Sequence, residues 1–380
     1  MTIKTYKFKL YRAKRNEHLH QRIDIAGIIW NHAISLHKTY YRLTGKHLNQ
    51  YELMAHIVKL KKRPAYAFWN LVGSQAIQDV VQRIERAYML FFRNLKAGVK
   101  TAPPGFKKIK RYSSFTLKQA GWKLLGGNRI RIQDRVYKFS KSRDIPADAH
   151  TLTIKRDALS NLWLYFVVET PEDQSSRAMT GNSAGFDFGL KAFLTLDDGS
   201  VIESPLCLHQ ALAELKLAQQ SLARKVKFSH GWQKARLVVA RIYARVVNKR
   251  RDFFFKLAHE LTDKYDYLYF EDLNMRGMMR LWGRKVGDLA RSEFMGILKY
   301  IAGNKGKIVH LVDRFYPSSK TCSACGHIYQ ALQLSERRWA CAACGVVYDR
   351  DTNAAINICR EGASSLRLGA VSLALLARAV

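Results

Sequence analysis

The sequence predicts an α/β protein with an additional β-barrel, divided into two parts. Three observations lead to this fold class: strand patterns on both sides of a helical region, a polar stretch rich in turn-forming residues at 171–184, and two C-x2-C pairs near the C-terminus. The polar stretch predicts a linker at residues 173–183. The first part is predicted to be a small barrel interrupted by helices, and the second an α/β domain.

The N-terminal part changes from strand to helix and back to strand. Residues 3–11, IKTYKFKLY, alternate apolar and basic side chains with the period of a half-buried strand. Residues 17–95 have helical spacing with stops at Gly45 and Gly98, and residues 116–170 return to strand alternation. We therefore predict a discontinuous barrel formed by residues 1–14 and 99–172, with a helical domain at residues 15–98 inserted into it.

The C-terminal part, residues 184–380, mixes strand and helix patterns in the manner of an α/β domain. AGFDFGLKAFLTLDDGSVIES predicts a hairpin that turns at Asp198-Gly199, and residues 206–264 are helical with a break near residues 228–231. DYLYFEDLN and KIVHLVDRF predict buried strands, separated by a further helix. The tail after Glu361 gives no clear pattern.

The composition indicates an extended polyanionic partner. The 380-residue chain has 64 Lys and Arg against 30 Asp and Glu, a formal net charge of +34 that is spread along its length. Nucleic acid is the first candidate. A membrane surface is the alternative, but the longest apolar run, residues 366–380, is shorter than a span and contains Arg378. With no secretory signal at the N-terminus, we expect a cytoplasmic protein that associates with the nucleoid when it is bound to DNA.

Two basic segments are candidates for nucleic-acid contact. In residues 101–115, lysines and an arginine alternate with Phe106, Tyr112 and Phe115, a mixture suited to phosphate contact and stacking. In the second helix of residues 206–264, basic side chains follow one another along one face. A solvated loop and a solvated helix face are the alternatives. The predicted contacts are Lys107, Lys108, Lys110, Arg111, Lys234, Arg241, Arg245 and Lys249.

Four cysteines have the spacing of a structural metal site. Two C-x2-C pairs separated by fifteen residues match a zinc ribbon, in which each pair supplies two thiolates to a tetrahedral ion. Four protein ligands leave no open position, so the ion is expected to stabilise the fold rather than to catalyse; an iron-sulfur or an empty site is the alternative. The predicted zinc ligands are Cys322, Cys325, Cys341 and Cys344, and the other two cysteines, Cys207 and Cys359, are interpreted as small buried side chains.

Three acidic residues are candidates for a second metal site. Asp187 lies within an apolar strand, Glu271 ends a strand, and Asp351 is at the start of an apparent helix. Separately they could be a turn residue, a charge at the start of a helix and an N-cap. Burial of an unpaired carboxylate costs several kcal/mol, so Asp187 requires a cation or hydrogen-bond donors. Converging carboxylates in so basic a protein favour two Mg²⁺ ions acting on a phosphodiester.

The motifs GFDFGLKAF, VVNKRRDFFFKLA, FEDLNMRGM, YPSSKTCSACG and CAACGVVYDRDTNAAINI resemble, in order and spacing, the C-terminal half of the TnpB family, transposon-encoded relatives of type V CRISPR effectors. The resemblance implies an RNase H-like RuvC nuclease domain at residues 184–380 with a zinc-ribbon insert at 316–348. It also implies that the barrel is a wedge-type domain and that residues 15–98 form a recognition domain. Phe188 and Arg12 depart from the usual pattern without affecting the acidic residues.

The resemblance implies an RNA-guided DNA endonuclease. Such a protein binds an omega RNA from its transposon end, recognises a short flanking motif in double-stranded DNA, and hydrolyses phosphodiesters with two Mg²⁺ ions. The catalytic carboxylates then fall on Asp187, Glu271 and Asp351, and we expect a monomer on the RNA. Three alternatives stay open: a non-cleaving regulator of transposition, a strand-transfer transposase, and a zinc-ribbon RNA-binding module.

Overall fold

The computed structural model describes residues 2–146, 149–170, 179–189, 192–273, 290–333 and 336–377, with the backbone alone at residues 2, 170 and 367–377. The chain divides into two compact units, Met1–Glu172 and Asp173–Val380. Of the predicted linker, residues 173–178 lie outside the described residues, and Ser183 already belongs to a strand.

The first unit combines a seven-stranded antiparallel sheet with three helices. Strand β1 (Thr2–Leu10) is followed by α1 (Glu17–Thr44), α2 (Gln50–Leu60) and α3 (Ser74–Lys96). Strands β2 (Ser114–Leu117), β3 (Trp122–Leu124), β4 (Arg129–Ile132), β5 (Arg135–Ser140), β6 (Thr151–Arg156) and β7 (Leu162–Thr170) come next. The strand order is β2-β6-β7-β1-β5-β4-β3, so the N-terminal strand lies in the middle of the sheet.

Strand β1 shows the predicted alternation. It pairs with β7 from Thr2↔Thr170 to Lys9↔Trp163, and its side chains Phe8 and Leu10 are buried while Lys7 and Lys9 are exposed. Phe8 and Leu10 belong to the same apolar core as Ile23 of α1. The helices therefore pack on the sheet through one shared core.

The seven-stranded sheet has an open edge at β2, where the sequence predicts a closed barrel. Asp79 and Arg83 of α3 occupy this edge: the Thr116 N–H donates to Asp79 Oδ2 (3.1 Å), and Arg83 Nη1 donates to the Ser114 carbonyl (3.0 Å). The two helix side chains are themselves paired at 2.8 Å. Because a helix covers the edge of β2, one N–H and one carbonyl of this edge are satisfied without another strand. Strand pairing among the described residues does not close the sheet.

Helix α1 ends at Gly45, as the glycine predicts, with a left-handed φ of 67°. In contrast, the long helical pattern of the sequence does not predict α2 as a separate helix. It has a complete capping box, in which the Asn49 side chain accepts from the backbone of Glu52 and the Glu52 side chain accepts from the backbone of Asn49. The N-x-x-E spacing in the sequence is the signal that identifies this start.

The second unit is built on a five-stranded mixed sheet. Its strands are β8 (Ser183–Asp187), β9 (Ala192–Leu196), β10 (Val201–Glu203), β11 (Tyr267–Glu271) and β12 (Ile308–Val312), in the order β10-β9-β8-β11-β12. Strands β8, β11 and β12 are parallel, whereas β9 and β10 form the predicted hairpin with its turn at Asp198 and Gly199.

Helices cover both faces of this sheet. Helices α4 (Cys207–Ala223) and α5 (His230–Lys264) are separated near the predicted break, and α6 (Arg291–Asn304) follows. Phe254 of α5 and Phe294 of α6 pack with Phe193 of β9 on one face. Helix α7 (Arg350–Ala377) places Ile358 against Tyr269 on the other face. The tail that had no clear sequence pattern thus continues α7.

Residues 316–349, which we call the cysteine-rich segment, precede α7. Strands β13 (Arg338–Ala340) and β14 (Val347–Asp349) form an antiparallel hairpin, and β14 is followed directly by α7. Trp339 packs on Tyr329 and Tyr348 in a small separate core. Within the described part of the chain, no helix has the length and apolar character to cross a membrane.

Candidate active site and metal centre

Two of the three candidate carboxylates lie side by side at one end of the sheet. Phe186 of β8 is in register with Phe270 of the parallel strand β11, and the next residues along the two strands are Asp187 and Glu271. Parallel neighbours direct equivalent residues to the same side and the same edge. The apolar residues around each acid form strands, and the strands bring together residues that are distant in the sequence.

Helix α7 brings the third carboxylate to the same edge. A Cβ atom at Gly185 would lie 2.1 Å from the Ala355 backbone oxygen, and one at Gly362 would lie 2.2 Å from Tyr269 Cδ1. Both glycines therefore permit direct contact between the helix and the sheet. Because Gly185 is two residues before Asp187, this contact places the first turn of α7, with Asp351, beside the end of β8.

The negative charges of these acids interact in two pairs, Asp187 with Asp351 and Asp187 with Glu271. Burial raises the pKa of Asp187 to about 6, with a further contribution from the negative charge of Asp351. Burial likewise raises the pKa of Glu271 to about 7, and here repulsion by Asp187 contributes. Each carboxylate makes ionisation of the next less favourable, which is the arrangement that a bound cation relieves.

Arg291, at the start of α6, is a cation near Asp187 and Glu271 that sequence reasoning missed. Its side chain is buried, donates to the carbonyls of Phe188 (3.1 Å) and Gly189 (2.8 Å), and stacks on the Phe188 ring at 5.0 Å. Burial lowers its pKa to about 10 against the opposing attraction of Asp187 and Glu271. An arginine in LARSEF has no pattern that reveals this contact.

Asp351 is not the N-cap of α7. The Asp349 side chain caps the helix instead, since its Oδ1 accepts from the backbone N–H groups of Asp351 (3.0 Å) and Thr352 (3.2 Å). The Asp351 carboxylate forms a two-oxygen ion pair with Arg337 Nη1 at 3.1 and 3.0 Å. The capping alternative for Asp351 is therefore wrong, and its carboxylate faces the cysteine-rich segment.

The cysteines form the metal-binding group of the structure. Of the described residues, only Cys322, Cys325, Cys341 and Cys344 form a group of three or more His, Cys, Asp or Glu side chains placed to hold one ion, with sulfurs within 4.8 Å of one another. Two sulfur pairs lie 3.5 and 3.6 Å apart. Tetrahedral zinc with Zn–S bonds of about 2.3 Å requires about 3.8 Å between sulfurs. The donor set and its spacing fit zinc.

The two halves of the cysteine site have the same backbone. Gly326 N–H donates to Cys322 O (2.9 Å) and Gly345 N–H donates to Cys341 O (2.8 Å), and both glycines have a left-handed φ, of 77° and 73°. Each C-x2-C-G sequence therefore forms a tight turn that directs its two sulfurs to one point. We call the turn from Cys322 to Gly326 the first knuckle.

The predicted nucleic-acid contacts are all exposed, but several have partners. Lys107 lies 3.5 Å from the centre of the Trp30 ring, and burial lowers its pKa. Lys110 pairs with Asp24 at 3.5 Å, and Arg245 pairs with Glu214 at 2.7 Å. The remaining positions, Lys108, Arg111, Lys234, Arg241 and Lys249, are exposed on a loop or on α5. The assignment of all eight to nucleic acid stays a prediction.

The predicted stacking role of two aromatic residues is wrong. Tyr112 and Phe115 are 4% and 1% exposed and belong to the core of the first unit. Phe106, which is 59% exposed, is the only one of the three that faces solvent. The same alternation of basic and aromatic residues occurs where a segment lies on a core, with its aromatic side chains buried and its basic side chains in solvent. The sequence alone does not distinguish this arrangement from a nucleic-acid-binding segment.

Two known families match parts of the chain, mostly within the second unit. Residues 292–358 match the family described as "Cas12f1-like, TNB domain", and residues 165–281 match the family described as "Probable transposase". The first match contains the four cysteines and Asp351, and the second contains Asp187 and Glu271.

Curated relatives extend over nearly the whole chain. "Putative RNA-guided DNA endonuclease" of Streptomyces pristinaespiralis is 28% identical over 372 residues, which cover 96% of this chain and 91% of the relative. "Putative RNA-guided DNA endonuclease InsQ" of Escherichia coli (strain K12) is 25% identical over 388 residues, which cover 97% of this chain and 94% of the relative.

A solved structure has a similar fold. The chain in "Cryo-EM structure of the Cas12f1-sgRNA-target DNA complex" superposes with a TM-score of 0.52 at 14% identity, over 94% of this chain and 98% of that chain. At this identity the likeness concerns the fold alone. With the observed sheets and the cysteine cluster, it confirms the predicted α/β fold class at this coarse level.

Proposed function

We propose that this chain, a relative of the TnpB family, is an RNA-guided DNA endonuclease. The resemblance seen in the motifs is confirmed by the two matching families and by relatives that cover nearly all of the chain. The proposed partners are an omega RNA from the transposon end and double-stranded target DNA with a short flanking motif. The formal net charge of +34 suits the neutralisation of both backbones.

The observation that supports nuclease chemistry most directly is the trio of neighbouring acids at one sheet edge. Asp187 and Glu271 end adjacent parallel strands, and Asp351 raises the pKa of Asp187 from the first turn of α7. The strand order β10-β9-β8-β11-β12, with the first hairpin antiparallel and the last two strands parallel to β8, is the order expected of an RNase H-like RuvC domain. We propose that architecture, and these three residues as its catalytic carboxylates.

The oxygen donors of Asp187, Glu271 and Asp351 are of the kind that Mg²⁺ prefers. Of the described residues only the four cysteines are already placed around one point, so the three carboxylates would have to converge further to hold an ion. Two bound ions supply activation of the attacking water and stabilisation of the leaving oxygen. The chain holds Asp187 and Glu271 on a rigid sheet, while Arg291 fixes the backbone that follows Asp187. Asp351 must exchange its ion pair with Arg337 for a metal ligand role. Because burial raises the pKa of Asp187 and of Glu271, both groups would have to be deprotonated to hold Mg²⁺, and metal binding would be weaker at low pH.

The finer domain and contact assignments in both units belong to the same proposal. Residues 1–14 and 99–172 form a wedge-type domain, residues 15–98 a recognition domain, and residues 316–348 a zinc-ribbon insert of the nuclease domain. The eight exposed basic residues named above contact phosphates. One structural Zn²⁺ is held by the four cysteines, whose sulfurs have suitable spacing.

The test is cleavage of a plasmid that contains the guide-complementary sequence. In Asp187→Asn and Glu271→Gln, the side chains keep their size but lose the charge that binds Mg²⁺, so we expect at least a hundredfold loss of cleavage with unchanged RNA binding. Asp252→Asn is the matched control. Asp252 is exposed on α5, and within the described part of the chain its one ion pair is with the exposed Lys256.

Three outcomes would reject parts of the proposal. Undiminished cleavage by Asp187→Asn would reject the catalytic site. Joined rather than broken strands would favour a transposase. RNA and DNA binding by the wild-type protein without any Mg²⁺-dependent break would favour a non-cleaving regulator.

A further inference from the structure

Two buried asparagines connect the first knuckle to α7, the helix that carries Asp351. Asn353 and Asn357 lie one turn apart on α7 and are 0% and 3% exposed. Asn353 Nδ2 donates to the Thr321 carbonyl at 2.8 Å, and Asn357 Nδ2 donates to the Ser318 carbonyl at 2.9 Å and to the Thr321 carbonyl at 2.6 Å. The same face of α7 thus contacts the chain that leads into Cys322.

The Asn353 amide is used on both sides. While its nitrogen donates to Thr321, its Oδ1 accepts from the Ser323 N–H at 2.9 Å. These two backbone groups flank Cys322 in the sequence, so one side chain holds the backbone on both sides of a metal ligand. The amide supplies the donor and the acceptor on separate atoms of one side chain. Arg360, further along the same helix, adds a hydrogen bond to the Ser323 carbonyl.

The asparagines are also close to the proposed catalytic acid. Asp351 is two residues before Asn353, within the first turn of α7. The cysteine-rich segment meets this turn a second time, where Arg350 N–H donates to the Arg337 carbonyl at 2.8 Å and Arg337 pairs with Asp351. The position of Asp351 is consequently set by the chain that leads into Cys322 and by the chain between the two cysteine pairs.

We propose that Asn353 and Asn357 are positioning residues that couple occupancy of the cysteine site by zinc to the placement of Asp351. Zinc fixes Cys322 and thereby the Thr321 and Ser323 backbone groups, and the asparagines transmit that position to α7. Residues that orient the ligands of a metal typically change its affinity by about 10- to 100-fold when they are replaced. The part that concerns Asp351 rests on the proposed nuclease function, whereas the coupling to zinc does not.

Coupling between two sites is reciprocal, which provides a measurement independent of activity. In Asn353→Asp the acceptor for Ser323 stays, but the donor to Thr321 is replaced by a carboxylate oxygen that repels the carbonyl. We expect the full-length protein to lose zinc to a chromogenic chelator with an affinity lowered about tenfold or more. Asn304→Asp, at an exposed asparagine that ends α6, is the matched control and keeps the wild-type affinity.

The second arm compares cleavage with guide RNA binding in the same proteins. We expect Asn353→Asp to cleave at least tenfold more slowly than the wild type, with unchanged RNA affinity. We also expect removal of zinc to slow the variant much less than the wild type, because the contact between Asn353 and the chain around Cys322 is already broken in the variant. If Asn353→Asp does not fold, Asn357→Ala, which removes the amide that donates to the Ser318 and Thr321 carbonyls, takes its place. Equal zinc affinities in variant and wild type would overturn the coupling. An inactive wild-type protein with the expected loss of zinc affinity would reject the nuclease function and leave the coupling standing.

Discussion

Gly185→Ala tests whether contact between α7 and the sheet sets the active-site geometry. The added Cβ would lie 2.1 Å from the Ala355 oxygen, 2.7 Å from the Cys359 nitrogen and 2.8 Å from Cys359 Cβ. Two of these three atoms are backbone, so no side-chain rotation can relieve the overlap. Ordinary contact requires about 3.4 Å or more, so α7 must move away from β8 by roughly 1 Å.

The expected cost has two components. Overpacking in a well-packed core destabilises by about 1–3 kcal/mol, which urea denaturation of the purified protein measures directly. A displacement of about 1 Å at reacting groups costs about a hundredfold in rate, so cleavage is expected to fall by that order under conditions where the variant is still folded. Guide RNA binding is expected to change much less.

Gly296→Ala is the matched control. Gly296 is an exposed position of α6 where an added Cβ meets nothing within 4 Å. Alanine there raises helix propensity, and we expect a stability gain of about 0.5–1 kcal/mol with unchanged cleavage. Wild-type cleavage and stability in Gly185→Ala would refute the role assigned to the contact between α7 and β8.

Two further predictions concern the charges of the site. The raised pKa values of Asp187 and Glu271, about 6 and 7, mean that the folded protein binds protons more tightly than the unfolded chain. When a chelator keeps metal ions away, the free energy of unfolding of the wild type minus that of Asp187→Asn should therefore fall between about pH 4 and 7 and then level off. Urea denaturation of both proteins over this pH range measures the difference. In Arg291→Gln the attraction that lowers both pKa values is lost, so the pH at which cleavage reaches half its maximum should rise, whereas Arg291→Lys should shift it less.

The parts of the fold that depend on local pattern could be predicted from sequence. Alternation identified β1, glycine identified the end of α1, and Asp198-Gly199 identified a hairpin turn, because each reports a backbone requirement within a few residues. The cysteine site was predictable for the same reason, since each C-x2-C-G turn is formed by residues next to one another in the sequence.

Tertiary pairing was harder to predict. The edge of β2 is occupied by Asp79 and Arg83, which lie more than thirty residues earlier in the chain, and a helix with two charged residues gives no indication that it replaces a strand. Arg291 is similar, because its role depends on carbonyls of Phe188 and Gly189 about a hundred residues away. In both cases the decisive contact exists only after the fold is formed.

The three acids show how weak sequence signals become informative in combination. Asp351 had a capping role as its simplest explanation, and the structure assigns that role to Asp349. Once capping is assigned elsewhere, the Asp351 carboxylate raises the pKa of Asp187, and the helix dipole offsets only part of this electrostatic cost. Arg337 offsets part of that cost for Asp351, and Arg291 offsets part of it for Asp187 and Glu271. Arg337 precedes Asp351 in the chain, and Arg291 follows Glu271. Because Arg337 belongs to the cysteine-rich segment, a divalent ion that replaces it at Asp351 would alter that segment as well as the acids. Metal binding at the carboxylates and zinc binding at the sulfurs are therefore expected to influence each other through the same few residues.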